Sequence, residues 1–394
     1  MQRRNFLAAA SAAVGALAVS SKALAQAGSS GSTLPQGLTA RGSVMPTRGR
    51  IVRDSLPRNE PLAGMRYRTP FRFGLGGTQI GNIFEPISEA QAQSVLQAAW
   101  DSGVRYFDTS PFYGYGLSEY RLGQFLRTQR PGSYVVSTKV GRVLRASKGS
   151  LPNASLWPSP APFSYTYDFS AAGTRRSVED SLQRMGIPQI DMVFIHDLSP
   201  DNTELDRPWQ EHFAVAAQGA MVELTRMREE GLIGGWGFGI NTPNAAVLAA
   251  TSNVPTPDIV LLACQYSLLD HADTLDKTFP ALQNKGISVV IGTPLNDGFL
   301  GGRSRYHFSD QIPAGAVEKR ARLMEVADRF GIDIRTAALQ FAAAPPIVSA
   351  VIPGARVAAQ VRANVESMKV EIPADFWAEL RRLGLITAQA PVPA

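Results

Sequence analysis

A single cysteine, Cys264, occurs in the 394 residues. That excludes an intramolecular disulfide and any cysteine cluster for zinc. Histidine is scarce as well, and the four present (His196, His212, His271, His307) show no metal-ligand spacing. No apolar run is long enough to span a bilayer; the stretch from Leu7 to Val19 falls short of a folded transmembrane helix. The chain lacks a dinucleotide fingerprint of the form G-x-G-x-x-G. In GLGGTQIG the third glycine is replaced by Gln79, and GWGFGINT fails the spacing too. No Walker A pattern occurs. Excess positive charge is also thin. Of the net +6, three charges (Arg3, Arg4 and Lys22) lie in the first 25 residues, which hold no acid. The remainder gives little support for a nucleic-acid partner.

Hydrophobic residues make up 44% of the chain and charged ones 18%, so a large core can form. The length fits two average domains or one α/β barrel. Residues 1–25 read as a targeting signal: paired arginines in MQRRNFL, a mild apolar stretch, and a small-residue cleavage site at Ala23 to Ala25. This resembles a twin-arginine export signal, with an ordinary secretory signal as the alternative. The first reading implies a periplasmic protein exported already folded, with the export machinery as a partner and no stable membrane anchor. Residues 26–66 are rich in Gly, Ser, Pro and Arg and read as a flexible linker or extended arm, its arginines (Arg41, Arg48, Arg50, Arg53, Arg58) solvated.

From residue 67 to 388 short apolar runs alternate with helical periodicity. The runs are Phe71–Leu75, Val104–Asp108, Tyr134–Lys139, Asp191–His196, Gly234–Ile240, Ile259–Gln265, Ser288–Thr293 and Val348–Pro353. Between them, Ser88 and Gln91 form a capping box ahead of Leu96 and Ala99. Val178, Leu182 and Met185 share one helical face, as do Leu323, Val326 and Phe330. Eight such units predict a single (β/α)8 TIM barrel of the α/β class. The alternative, a doubly wound open sheet, would normally carry the missing fingerprint. The long interval Val143 to Phe169, with Trp157, Phe163, Tyr165 and Tyr167, reads as a functional loop walling a pocket.

Barrel strands should be apolar in their bodies, so polar residues at their C-terminal ends need a reason. Asp108, Lys139, His196, Asn241 and Gln265 all stand there, on the face where barrels build active sites. A buried lysine needs a partner, and Asp108 on the adjacent strand supplies one. Tyr113, five residues past Asp108, reaches the same mouth. A neighbouring ammonium would favour its phenolate and lower its pKa. His196 offers a neutral donor. The set suits proton transfer at an oxygen that gains or loses carbonyl character. A nicotinamide is the economical hydride partner, with Asn241 and Gln265 offering amides for its carboxamide. A glycosidase would instead need paired carboxylates.

The segments FDTSPFYGYGLSE, STKVG, IHD, GFGIN and CQYSLLD resemble, in order and spacing, those of the aldo-keto reductases over roughly residues 70–385. FGLGGTQIGNIF, GTRRSVEDSLQRMGIPQIDMVFIHD and IPGARVAAQVRANV look like the aldose 1-dehydrogenase branch, which oxidises L-fucose, L-galactose or related sugars and has a pyridoxal-oxidising relative. The resemblance implies Tyr113 as general acid/base, Lys139 tuning it, Asp108 holding Lys139, and His196 orienting the substrate oxygen. It implies NAD or NADP as cofactor, contacted by Thr78, Asn241, Gln265, Thr293, Pro294, Leu295, Gly354, Arg356, Gln360 and Asn364. Phe84, Phe112 and Trp157 are candidate walls for a sugar or carbonyl substrate. The usual stacking tyrosine after the seventh strand is absent, with Gly292 and Thr293 in its place. A cofactor-binding sensory or regulatory barrel is the alternative to an enzyme; a monomer is the expected state.

Overall fold

The computed structural model describes residues 47–393 apart from residue 150 and residues 152–154. The expected twin-arginine signal and the expected arm up to residue 46 lie outside the described residues.

All eight apolar runs become strands of one parallel sheet. They are β1 (Leu75–Gly76), β2 (Tyr106–Asp108), β3 (Val135–Val140), β6 (Ile190–His196), β7 (Ile233–Ile240), β8 (Ile259–Leu262), β9 (Ser288–Gly292) and β10 (Val348–Ile352), hydrogen-bonded in that order. Bridges Phe73↔Val351 and Gly76↔Gly354 join the last strand to the first and close the barrel. The numbers β4 (Arg142–Ala146) and β5 (Phe163–Tyr167) belong to an antiparallel hairpin that rises from the end of β3. The sequence reading left that segment as a loop. Its signal was present in the period-two aromatics Phe163, Tyr165 and Tyr167.

The first run is mostly too tight to pleat as a strand. A Cβ on Gly74 would sit 2.8 Å from the Tyr106 carbonyl and 2.9 Å from Ile352 Cγ2. Glycine there lets the chain pass through the closing seam. Inside the barrel, Tyr106, Val135, Met192, Phe194, Val290 and Ala350 pack as one apolar plug. A larger core lies between strands and helices.

Residues 47–68 run across the opposite, N-terminal face as a strap. Asn59 Nδ2 donates to the carbonyls of Thr69 (2.7 Å) and Ser349 (2.6 Å). Ser288 Oγ donates to the Tyr67 carbonyl at 2.6 Å, and the Tyr67 ring lies against Gly234 and Gly235. Two arm arginines are not simply solvated. Arg58 stacks on Phe71 at 4.5 Å, and Arg48 pairs with Asp328 at 3.4 Å.

The helix Glu89–Asp101 starts at Ser88, whose side chain accepts from the Gln91 N–H. The capping box is only half made. Gln91 Nε2 turns instead to the Arg356 carbonyl at 2.8 Å, tying the first βα loop to the last. That first loop is organised by Arg121. Its buried guanidinium donates to Ile80 O (2.8 Å), Asn82 Oδ1 (2.8 Å) and Ile87 O (3.0 Å), and pairs with Glu89. Arg121→Met would strip the Ile80 and Ile87 carbonyls of this donor and leave Asn82 Oδ1 with only the Ile87 N–H. We expect a loss of roughly 2–4 kcal/mol of stability, read as a shifted urea midpoint with an unchanged slope.

Candidate active site

Parallel register sets the mouth. Asp108 ends β2 opposite Ser137 of β3, and Lys139 stands two residues further along the same face. His196 ends β6 beside Gly239 of β7. A Cβ on Gly239 would come within 3.3 Å of Lys139 Cε, so glycine leaves room for the lysine stem. The Lys139 ammonium is buried and donates three hydrogen bonds, to Asp108 Oδ2 (2.8 Å), Asp108 Oδ1 (3.0 Å) and the Thr109 carbonyl (2.8 Å). Ser137 Oγ adds a fourth contact, donating to Asp108 Oδ1 at 2.6 Å. Burial raises the Asp108 pKa, opposed by the Lys139 charge and these hydrogen bonds.

Tyr113 joins this group, but not as the sequence suggested. Its ring lies under the ammonium, with Nζ 4.5 Å from the ring centroid. All three N–H donors of Lys139 already point at Asp108 and Thr109. The expected lowering of the phenol pKa does not occur here. Burial first, then the Asp108 and Asp197 charges, push it well above 10, with Arg142 pulling the other way. The reason is burial before charge: an enclosed phenol loses hydration on ionising, and the nearby lysine is already paired with Asp108. Tyr113 is therefore held as a neutral phenol.

His196 is neutral too. Burial, then Arg142 and Lys139, hold its pKa well below 6.5. Its ring meets Tyr113 edge-on at 5.8 Å. Its Nδ1 lies 3.1 Å from Ser110 Oγ. Beside it stands a second buried ion pair that the sequence reading missed: Arg142 Nη1 to Asp197 Oδ2 at 2.9 Å. The Arg142 guanidinium stacks on Phe112 at 4.0 Å. Its only sequence signal was its place, three residues past Lys139 at the same strand end.

A groove leads away from the mouth. Asp108, Tyr113, Leu261, Ala263 and Gly292 line its near end; Asp333, Arg335, Arg356, Gln360 and Asn364 line its far end. Thr78, Thr293, Pro294, Leu295 and Gly354 form the walls between, so these sequence candidates share one surface. Asn241 and Gln265 stand apart from it. Gln265 Nε2 donates to the Asn241 carbonyl (2.7 Å), and Asn241 Nδ2 reaches Asp201 at 3.4 Å. The far end lies at the start of the helices Ile334–Ala343 and Ala358–Ser367. Arg356 pairs with Glu85 at 3.0 Å, and its own N–H is accepted by Gln360 Oε1 at 2.7 Å. Arg303, Arg335 and Phe308 also line the groove, without sequence signals of their own, as does Asp297, a carboxylate that the sequence already offers to the mouth. Burial raises the Asp297 pKa to about 6, against Arg305 and Arg303.

The substrate side is aromatic. Trp157 is buried between Phe112 (ring centroids 5.4 Å apart) and Tyr113 (5.7 Å). Tyr165 of the hairpin meets Phe112 at 5.5 Å. Phe84 belongs to the same cluster and carries Arg305 over its ring at 3.5 Å.

An elongated groove with an apolar, glycine-lined near end and a far end of helix N-termini and arginines fits a nicotinamide dinucleotide. The ring needs a flat slot; the phosphates need N–H groups and cations.

Comparison with known proteins agrees. The Aldo/keto reductase family profile matches residues 72–384. A pyridoxal 4-dehydrogenase of Microbacterium luteolum is 36% identical over 328 residues, covering 80% of this chain and 94% of that protein. A D-threo-aldose 1-dehydrogenase of a Pseudomonas species is 32% identical over 336 residues, covering 83% and 98%. The solved holo form of an aldo-keto reductase from Bacillus halodurans shares the fold, with a TM-score of 0.59 at 23% identity, over 88% of this chain and 98% of that one. With the barrel, the mouth and these matches in agreement, the chain belongs to the aldo/keto reductase family.

Proposed function

We propose that the protein is an NAD(P)-dependent oxidoreductase that moves a hydride between a nicotinamide and C1 of an aldose, or a related carbonyl or alcohol. The observation that carries this reading is the meeting of Tyr113, the Asp108–Lys139 pair and neutral His196 at the barrel mouth, where Asp108 and Tyr113 line the end of the groove. The 32% and 36% identities to an aldose and a pyridoxal dehydrogenase support the substrate class. The Arg3–Arg4 leader supports export of the folded enzyme to the periplasm by the twin-arginine route.

A bound nicotinamide supplies or takes the hydride. Thr78, Thr293, Pro294 and Leu295 would flank it, and Gly354, Arg356, Gln360 and Asn364 would hold its nucleotide end. In reduction, the Tyr113 hydroxyl gives its proton to the carbonyl oxygen. In oxidation, Tyr113 must first be ionised; it then takes the proton of the substrate hydroxyl as the C1 hydride leaves, and a cyclic aldose becomes a lactone. His196 donates a hydrogen bond to the same oxygen. Phe112 and Trp157 exclude water from it, which strengthens each polar contact.

Tyr113→Phe should lower kcat by about 10²- to 10⁴-fold while nucleotide affinity, followed by fluorescence titration, stays unchanged. Full turnover in that variant would end the assignment. The pH dependence has a definite sign. Because burial holds the phenol pKa well above its usual value, the free enzyme holds the proton at neutral pH. kcat/KM for reduction should be flat through neutrality, and kcat/KM for oxidation should climb steadily into the alkaline range. A descending alkaline limb for oxidation would contradict the neutral-phenol assignment. The ion pair has its own test. Lys139→Met strands a buried carboxylate and should cost about 3–5 kcal/mol, whereas the double variant with Asp108→Asn should recover much of it in urea titrations.

A further inference from the structure

The catalytic reading leaves open how one imidazole nitrogen is kept free to donate toward substrate. We propose that Ser110 is a positioning residue that fixes His196 as the neutral tautomer protonated at Nε2, leaving that N–H for the substrate oxygen. The inference rests on the proposed role of His196.

The argument is an account of hydrogens around Ser110. The residue is fully buried. Its Oγ accepts the Phe112 backbone N–H at 3.1 Å. The hydroxyl proton then needs an acceptor, since a buried donor left unpaired costs free energy. Among the described residues, its other hydrogen-bond partner is His196 Nδ1, at 3.1 Å. If Nδ1 carried the proton, two donors would face one another or the hydroxyl hydrogen would be stranded. With Nδ1 as acceptor, each group in the chain Phe112 N–H, Ser110 O–H and His196 Nδ1 is satisfied, and the ring proton sits on Nε2.

The other edge of the ring agrees. Asp197 Oδ2 lies 3.6 Å from Nε2. That is too long to consume the N–H in a hydrogen bond. It is close enough for the carboxylate to favour an N–H over a lone pair at that nitrogen. Arg142, on the same Oδ2 at 2.9 Å, offsets the carboxylate charge, so the pair orients the ring without protonating it. Phe112, whose N–H anchors Ser110, also meets the imidazole edge-on at 5.9 Å. A change at Ser110 therefore acts through His196 rather than by touching substrate.

The test reads the tautomer directly. In full-length protein labelled with 15N-histidine, the His196 signals are assigned by their loss in His196→Gln, which separates them from His212, His271 and His307. The expected wild-type pattern is a protonated nitrogen at ε2 and an unprotonated one at δ1. Ser110→Ala should mix the tautomers and lower kcat by roughly 10- to 100-fold with KM for nucleotide unchanged. Ser110→Thr, which restores a hydroxyl, should return the wild-type pattern and most of the rate; thermal melts confirm that both variants fold. A proton on δ1 in the wild type, or an unaltered tautomer in Ser110→Ala, overturns the proposal. Because the signals are read without substrate, such a result is distinct from failure of the catalytic reading, which shows instead as a normal tautomer with activity surviving loss of Tyr113.

Discussion

The mouth of the barrel depends on one buried ion pair, Lys139 with Asp108. Taking both charges from water is costly and is tolerated only when every donor and acceptor is matched. The barrel supplies that match from adjacent strands. Asp108 receives Lys139 and Ser137, while Lys139 gives its third hydrogen bond to the Thr109 carbonyl. Gly239 leaves space for the aliphatic stem on the next side. Strand register places each partner, so the site exists only when the sheet is closed in this order.

A second pair, Arg142 with Asp197, balances the charge on the other side of the pocket. Two neutral pairs surround Tyr113 and His196, and both of these stay uncharged. Low polarity then makes their protons responsive to whatever charge enters the groove, because any cation brought near a buried phenol favours its ionised form. The chemistry is thus set less by Lys139 alone than by the sum of four matched charges, one of which reaches the phenol from the residue at the foot of the hairpin.

Much of this was legible from residue order. The eight strands could be read because each is an apolar run between helical periods, and a closed barrel buries such runs on both faces. The four mouth residues could be read because polar groups at strand ends contradict that pattern. The hairpin Arg142–Tyr167 could have been read from alternating aromatics but was hidden inside a long interval. Arg142 and Asp197 gave no signal beyond their place, since a charged residue just past a strand is ordinary and only contact with Phe112 and His196 gives it meaning. The direction of the Tyr113 shift is hidden in the sequence for a related reason. Sequence shows that a lysine is near, not that the phenol is enclosed and the lysine already paired. Asn241 and Gln265 sit at the expected strand ends, yet they bind one another and Asp201 rather than line the groove.

Backbone conformation divides the two ends of the barrel in the same way. The non-glycine residues with left-handed φ among those described are Asn82, Phe84, Tyr115, Ser159, Asp197, Cys264, Thr293, Asn296, Asp297, His307 and Phe308. Every one follows a strand's C-terminal end or lies in the loop that such an end feeds. At the other end, where helices return to strands, the left-handed positions fall to glycines such as Gly103, Gly186, Gly231 and Gly286, which adopt them without a Cβ penalty. Each left-handed side-chain residue costs of order 1 kcal/mol or more. A fold selected for stability alone would put glycine at those positions as well. The strain collects at the mouth end, where Asp197 turns to pair with Arg142 and Thr293 and Phe308 line the groove.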